Sequence, residues 1–139
     1  MIRFRAMGAT GLAAAALLLL ASPVPALAHH SFAVFFNSDQ DVVSVKGTVQ
    51  TYRFTNPHGV IDMVVTPAAG GQELWRVETN SPSVLMRRGW TKESIMPGEV
   101  ITVQGWMARD GSKYMRLRAA FHADGKPIGS GGPVDGGKP

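Results

Sequence analysis

The sequence contains no cysteine among its 139 residues, and this absence excludes several classes of protein. Disulfide scaffolds, cysteine-ligated zinc sites, iron–sulfur clusters and enzymes with a cysteine nucleophile all require a thiol. A chain of this length is also too short for two ordinary domains. Because 45% of its residues are hydrophobic, an ordinary fraction for a folded protein, the composition predicts one small globular domain.

A long hydrophobic run is also missing, because the apolar stretch at residues 12–21 is too short to cross a bilayer. It follows a short basic start, precedes the helix-breaking residues 22–25, and leads to Ala-Leu-Ala at residues 26–28. This three-part pattern predicts a signal peptide over residues 1–28, with an uncleaved anchor helix as the alternative. We therefore expect a periplasmic or secreted protein with no transmembrane segment after cleavage.

The positive charge of the whole chain overstates that of the mature protein. Removing 28 residues leaves 111, and it removes Arg3 and Arg5 without any acidic residue, so the formal net charge falls from +4 to +2. A domain with so little charge has no strong electrostatic attraction to nucleic acid. We expect a monomer that does not bind nucleic acid and whose partner is an unknown protein or envelope ligand.

Five segments rich in β-branched, aromatic or alternating apolar residues are typical of strands. Turns are indicated between them by Asn56-Pro57, by the PAAGG sequence at residues 67–71 and by Asp110-Gly111. Gly47 lies inside the first strand and predicts a bulge or a sharp bend there. The predicted strands are residues 42–55, 59–66, 72–79, 99–108 and 113–121.

A short helix is predicted over residues 82–88, with Ser81 as its cap, Pro82 at its first position and Gly89 just past its end. Three strands, one helix and two strands form the element order of an OB-fold, so we predict an all-β, five-stranded OB-like Greek-key barrel over residues 29–122. A split β-sandwich is the alternative. The Gly/Pro-rich residues 123–139 are predicted to form a disordered tail.

Four histidines form the one unusual set of side chains: His29, His30, His58 and His122. Cleavage after residue 28 would leave His29 at the N-terminus, where its amine and its ring nitrogen can chelate one metal ion. A third nitrogen completes a histidine brace, an arrangement suited to Cu(II). We predict a copper site formed by His29, His30 and His58, with His122 as the reserve ligand. Alternatively, these histidines are ordinary surface and turn residues.

Other catalytic motifs are missing from the sequence, which has no GxSxG element, no phosphate-binding loop and no pair of carboxylates at a catalytic spacing. Three tryptophans either form a ligand-binding platform or fill the core, and the second is the more common arrangement. Three phenylalanines are expected to hold the N-terminal leader, residues 29–36, against the barrel. These residues are Trp75, Trp90 and Trp106, and Phe32, Phe35 and Phe36.

Several motifs together resemble a family of small exported bacterial proteins of unknown function, whose mature chains begin with His-His-Ser-Phe. The resemblance spans residues 29–122 and implies a periplasmic, barrel-like single domain, without an established activity or ligand. Gly59 follows the Thr-Asn-Pro-His motif where the family has an aromatic or aliphatic residue, which predicts a looser loop around His58. The motifs are HHSF at 29–32, TNPH at 55–58, SPSVLMRRGW at 81–90, PGEVITVQGW at 97–106 and RDGS at 109–112.

Three functional hypotheses follow from this sequence. The first is a non-enzymatic periplasmic binding or accessory domain with a copper site. The second is a metal-free module that recognises a protein or an envelope ligand through a face of the barrel. The third is a copper-dependent redox enzyme of the histidine-brace type. The missing catalytic motifs argue against an enzyme that works without a metal.

Overall fold

Five strands and two short helices make up the regular structure of residues 31–130, the part of the chain that the computed structural model describes. Each predicted strand and the predicted helix are present, with ends that differ by a few residues at most. The short helix in the leader is additional. In chain order the elements are α1 (Ser31–Phe35), β1 (Val43–Arg53), β2 (Val60–Val65), β3 (Glu73–Glu78), α2 (Pro82–Arg87), β4 (Val100–Met107) and β5 (Tyr114–His122).

The strands close into a barrel in the order β1-β2-β3-β5-β4, with β4 returning to β1. The long strand β1 makes this closure, because its first half pairs with β4 and its second half with β2. All neighbours are antiparallel except β3 and β5, which run parallel and pair over only three residues. This arrangement confirms the predicted OB-like Greek-key barrel.

Alternating side chains from all five strands fill the barrel, and α2 with the segment after it contributes the rest of the core. Leu85 of α2 and the following Trp90 and Ile95 are all almost completely buried. Ser81 precedes α2 as predicted, although its hydroxyl pairs with that of Ser83 and makes no capping hydrogen bond. The strand core comprises Val45, Val49, Ile61, Met63, Val65, Trp75, Val77, Ile101, Val103, Met115, Leu117 and Ala120.

Gly47 does not mark the irregularity that the sequence predicted there, because the register shift of β1 falls between Val49 and Thr51. Gly47 instead allows two strands to approach closely. A Cβ atom at this position would lie 2.5 Å from the Val64 carbonyl oxygen and 2.6 Å from the Met63 Cε atom. The constraint at residue 47 is therefore the space between β1 and β2, and not the backbone conformation.

The prediction of a disordered tail from residue 123 is wrong for residues 123–130. The side chain of Ile128 is buried in the core, and the backbone N–H of Ile128 donates to the Ala120 carbonyl. The Ser130 N–H donates to the Arg88 carbonyl, so this segment is joined to both β5 and the end of α2. A single well-placed apolar side chain thus anchors a segment whose composition favours disorder.

Residues 1–30 and 131–139 lie outside the described part of the chain. The predicted signal peptide and the rest of the predicted tail therefore stay predictions. Between residues 31 and 130, both helices are far shorter than a bilayer-crossing helix must be.

We predict that Gly47→Ala destabilises the protein by about 1–3 kcal/mol, because the added methyl group must displace β2 backbone. The neighbouring exposed Lys46→Ala is the matched control in the same strand and should change the free energy of unfolding by less than about 0.5 kcal/mol. Urea unfolding of both variants measures the difference. Equal stabilities would contradict the close approach.

Candidate functional site

His58 lies in the loop between β1 and β2, just after the cis Asn56–Pro57 peptide bond. The expectation of a loose loop is wrong, because Gly59 is held against the end of β3. The Gly59 N–H donates to the Asn80 carbonyl at 3.3 Å, and the Thr79 N–H donates to the Gly59 carbonyl at 2.8 Å. A Cβ atom at residue 59 would lie 2.5 Å from Thr79 Oγ1, so the missing side chain allows this close contact.

The His58 ring contacts the carboxylate of Glu78 through one of its two nitrogens. The distance from His58 Nδ1 to Glu78 Oε1 is 2.8 Å, and 48% of the His58 side chain is exposed. This contact assigns the proton to Nδ1. Within residues 31–130, no group hydrogen-bonds to Nε2. The ring therefore has one nitrogen held by a carboxylate and one available as a ligand.

Glu78 is the centre of a set of polar contacts that we call the Glu78 network, formed by His58, Glu78, Asn80, Tyr114 and Arg116. Besides His58, the carboxylate accepts hydrogen bonds from the Tyr114 hydroxyl and, at 2.6 Å, from Arg116 Nη1. The buried Arg116 also donates to Asn80 Oδ1. The pKa of Tyr114 is raised, mainly because its hydroxyl is buried and also because it contacts the Glu78 carboxylate. The network thus joins β3, β5 and the His58 loop.

The leader is held against the end of β4 and the turn that follows it by backbone hydrogen bonds. The Asn37 N–H donates to the Met107 carbonyl, and the Arg109 N–H donates to the Phe35 carbonyl, both at 2.9 Å. The Arg109 side chain adds a hydrogen bond to the Ala33 carbonyl at 2.8 Å and an ion pair with Asp39. These contacts place the leader beside the strand that carries Tyr114 and Arg116.

Aromatic contacts fix the leader further, although not through all three predicted phenylalanines. The Phe36 ring is buried with its centroid 5.2 Å from that of Tyr114, and the Phe32 ring lies edge-on to Trp106 at 5.5 Å. Phe35 is 60% exposed, so the prediction that it packs on the barrel is wrong. The leader therefore reaches the Glu78 network through Phe36 and Tyr114.

The three tryptophans do not share a face. Trp75 and Trp90 are buried in the core, whereas Trp106 lies on the outer side of β4 between Phe32 and Arg118. This distribution excludes a ligand platform formed by all three indole rings.

The four histidines are not brought together within the described residues. His122 lies at the end of β5, six residues beyond Arg116, which corresponds to about 20 Å along a strand. The role of His122 as the reserve ligand therefore stays a prediction. His29 and His30 lie outside the described residues, and residues 31–130 contain no group of three His, Asp or Glu side chains that could hold a metal ion.

Asp62 forms a second charged centre on the outer face of β2, and no sequence motif singled it out. It is 8% exposed and binds Arg76 Nε at 2.8 Å and Arg53 Nη1 at 3.0 Å. Burial raises the pKa of Asp62, but hydrogen bonds from Arg76 and Thr51 and the two guanidinium charges outweigh it and lower the pKa below its ordinary value. A carboxylate inside the apolar segment VIDMVV was the signal for this centre.

These features define a small, closed five-stranded barrel that carries a polar network beside its N-terminal leader. The chain belongs to the family of unknown function DUF6152, whose family model matches residues 15–116. This membership confirms the predicted resemblance to an uncharacterised family. A search of curated proteins finds no match.

Among solved structures, a small single-stranded DNA-binding protein from Streptomyces coelicolor is similar to this chain, with 18% sequence identity and a TM-score of 0.42. The similarity covers 60% of this chain and 91% of that protein. A likeness of this degree concerns the arrangement of strands and carries no argument about ligands.

We predict that Asp62→Asn destabilises the protein by about 1–3 kcal/mol near pH 7, because two guanidinium groups lose their shared carboxylate. The folded-state pKa of Asp62 is lowered, so its contribution is present above the unfolded value of about 3.9 and is lost as the pH falls through the folded value. Unfolding free energies from pH 7 to pH 2 should therefore converge for the two proteins. The exposed Glu93→Gln is the control, and a pH-independent difference would contradict the prediction.

We predict that Phe36→Ala costs about 3–5 kcal/mol of stability, because it removes a buried ring from the contact between the leader and Tyr114. Phe35→Ala removes the same chemical group from an exposed position of the same helix and should cost less than about 0.5 kcal/mol. Thermal unfolding of the two variants distinguishes them. Similar losses for both would show that the leader does not pack as described.

Proposed function

We propose that this chain is an exported, non-catalytic binding domain whose mature N-terminus takes up Cu(II) through His29 and His30, with His58 as a further ligand. The observation that carries the proposal is the 2.8 Å contact between His58 Nδ1 and Glu78 Oε1. Metal-binding histidines commonly donate one ring N–H to a carboxylate, which orients the ring and makes the other nitrogen a better ligand. Here that other nitrogen is Nε2 of a half-exposed ring.

The position of the leader supports the involvement of the N-terminal histidines. Phe32 contacts Trp106, whose cross-strand partner is Arg116, and Arg116 is bound to Glu78, the partner of His58. Residues 29–31 precede Phe32, and three residues span at most about 10 Å when extended. The proposal therefore requires that residues 29 and 30 extend from the docked Phe32 toward His58.

The donor set determines the metal. The free amine, an imidazole of the leader and His58 Nε2 together are three nitrogen ligands, and nitrogen ligands in tetragonal geometry suit Cu(II). The amine, with an ordinary pKa of about 7.7–8.0, must lose its proton before it binds. Uptake of the metal should therefore be tighter at pH 8 than at pH 6.

The experiment uses protein exported with its own signal peptide, after mass spectrometry has identified His29 as the first residue. Calorimetry should give one Cu(II) per chain, and electron paramagnetic resonance should show nitrogen ligation. His58→Ala should weaken binding by about tenfold or more, since loss of an orienting partner alone commonly costs that much. His122→Ala is the matched control and should bind as the unaltered protein does.

Two further results decide between this proposal and its alternatives. Protein that retains an extra N-terminal methionine lacks the His29 amine and should bind Cu(II) more weakly. Absence of copper binding by correctly processed protein would overturn the proposal in favour of a metal-free interaction module. Consumption of oxygen with a reductant by the copper-loaded protein would instead indicate a redox enzyme.

A further inference from the structure

A groove runs along the outside of the barrel where β3 and β5 separate, and we call it the β3–β5 groove. It is an open groove of about 530 Å³, and it contains an exposed apolar side chain between charged ones. None of the proposed copper ligands lines it. The lining residues are Asp62, Leu74, Arg76, Ser112, Lys113 and Tyr114.

The groove exposes one edge of β3. This strand pairs with β2 along its whole length, from Glu73 to Glu78, but with β5 only from Arg76 onward. The Arg76 N–H donates to the Lys113 carbonyl on the β5 side. Because backbone groups alternate in direction along a strand, the N–H and C=O of Leu74 face the same side as those of Arg76. No strand within residues 31–130 pairs with Leu74 on that side.

An unpaired strand edge is a template for a further extended chain, because its backbone donors and acceptors are already aligned. The Leu74 side chain is 66% exposed beside this edge, where it can contact an apolar side chain of an added strand. The geometry of the backbone thus favours an extended peptide over a compact ligand.

The charges of the groove indicate the composition of such a peptide. Arg53 and Arg76 share the single carboxylate of Asp62, so this group of three side chains keeps one net positive charge. Lys113 forms an ion pair with Glu73 at 3.1 Å and lies 5.2 Å from the centre of the Trp75 ring, so its ammonium group is held at the rim and the rim as a whole keeps one net positive charge. Because the side chains of Arg76 and Lys113 are about half exposed, the rim favours acidic side chains on the ligand.

The aromatic residue of the groove is already engaged. The Tyr114 ring packs against Phe36, and its hydroxyl donates to Glu78. Binding of single-stranded nucleic acid relies on free aromatic faces on which bases stack. Among the lining residues, Tyr114 is the one aromatic side chain, so the groove offers no row of stacking rings.

We propose that the β3–β5 groove binds an extended acidic peptide segment of a partner protein, which adds as a strand to the open edge of β3 at Leu74. Main-chain hydrogen bonds at Leu74 supply the alignment, and Arg76 and Lys113 select acidic side chains. This interaction requires no metal and does not depend on the copper proposal.

The experiment titrates the isotopically labelled full chain with the blocked peptide acetyl-Thr-Val-Glu-Val-Glu-Val-Thr-amide and follows backbone amide resonances. Shifts are expected at Leu74, Ser112 and Lys113, while the amide of Leu85 on α2 serves as a remote reference. A peptide with lysine in place of both glutamates is the matched control and should bind more weakly.

Two pairs of variants test the two parts of the interaction. Leu74→Pro removes the N–H that faces the groove without removing a bond to β2 and should weaken binding about two- to tenfold, whereas Leu74→Ala keeps the N–H. Lys113→Gln removes a rim charge and should weaken binding about two- to fivefold, whereas Lys92→Gln, an exposed lysine outside the groove, should have no effect. The lysine pair remains decisive if the proline variant does not fold.

Three outcomes of these experiments would contradict the proposal. Equal affinity for the acidic and basic peptides, or no shift at millimolar acidic peptide, would overturn the proposal. Shifts of the groove amides with a twelve-residue oligothymidylate, at concentrations where the acidic peptide is silent, would assign the groove to nucleic acid instead.

Discussion

Hydrogen bonding to the carboxylate of Glu78 is the interaction on which the arrangement of this surface depends. It accepts hydrogen bonds from Tyr114 and Arg116 of β5 and contacts the ring of His58 in the β1–β2 loop. Three segments that are distant in sequence are thereby held at one carboxylate. Arg116 is buried and would be costly without partners, so the network also constrains where its own members lie.

Contacts of the leader connect the Glu78 network to the first residues of the described chain. Phe36 packs on the same Tyr114 that binds Glu78, and backbone hydrogen bonds join the leader to the end of β4. A short helix of five residues has little stability of its own, so tertiary contacts account for its position. The groove between β3 and β5 lies on the other side of Tyr114, where the carboxylates of Asp62 and Glu73, and not that of Glu78, bind the cationic side chains.

Much of the fold was predictable because its strands are rich in β-branched residues and separated by turn residues, and because Pro82 and Gly89 bracket α2. Two predictions about local structure were wrong for the same reason. Gly47 allows two strands to approach closely and does not form a bulge, and Ile128 anchors a segment whose composition favours disorder. In both cases a contact with a residue far along the chain outweighs the local tendency.

The amino-acid sequence by itself determined the order of strands and helix along the chain and the absence of any thiol chemistry, and it predicted the class of barrel, because these depend on local patterns and on composition. Only the tertiary structure decided that His58 contacts Glu78 and that Asp62 binds two arginines. Such pairings depend on strand register and on barrel closure, which bring together residues that no spacing in the chain relates.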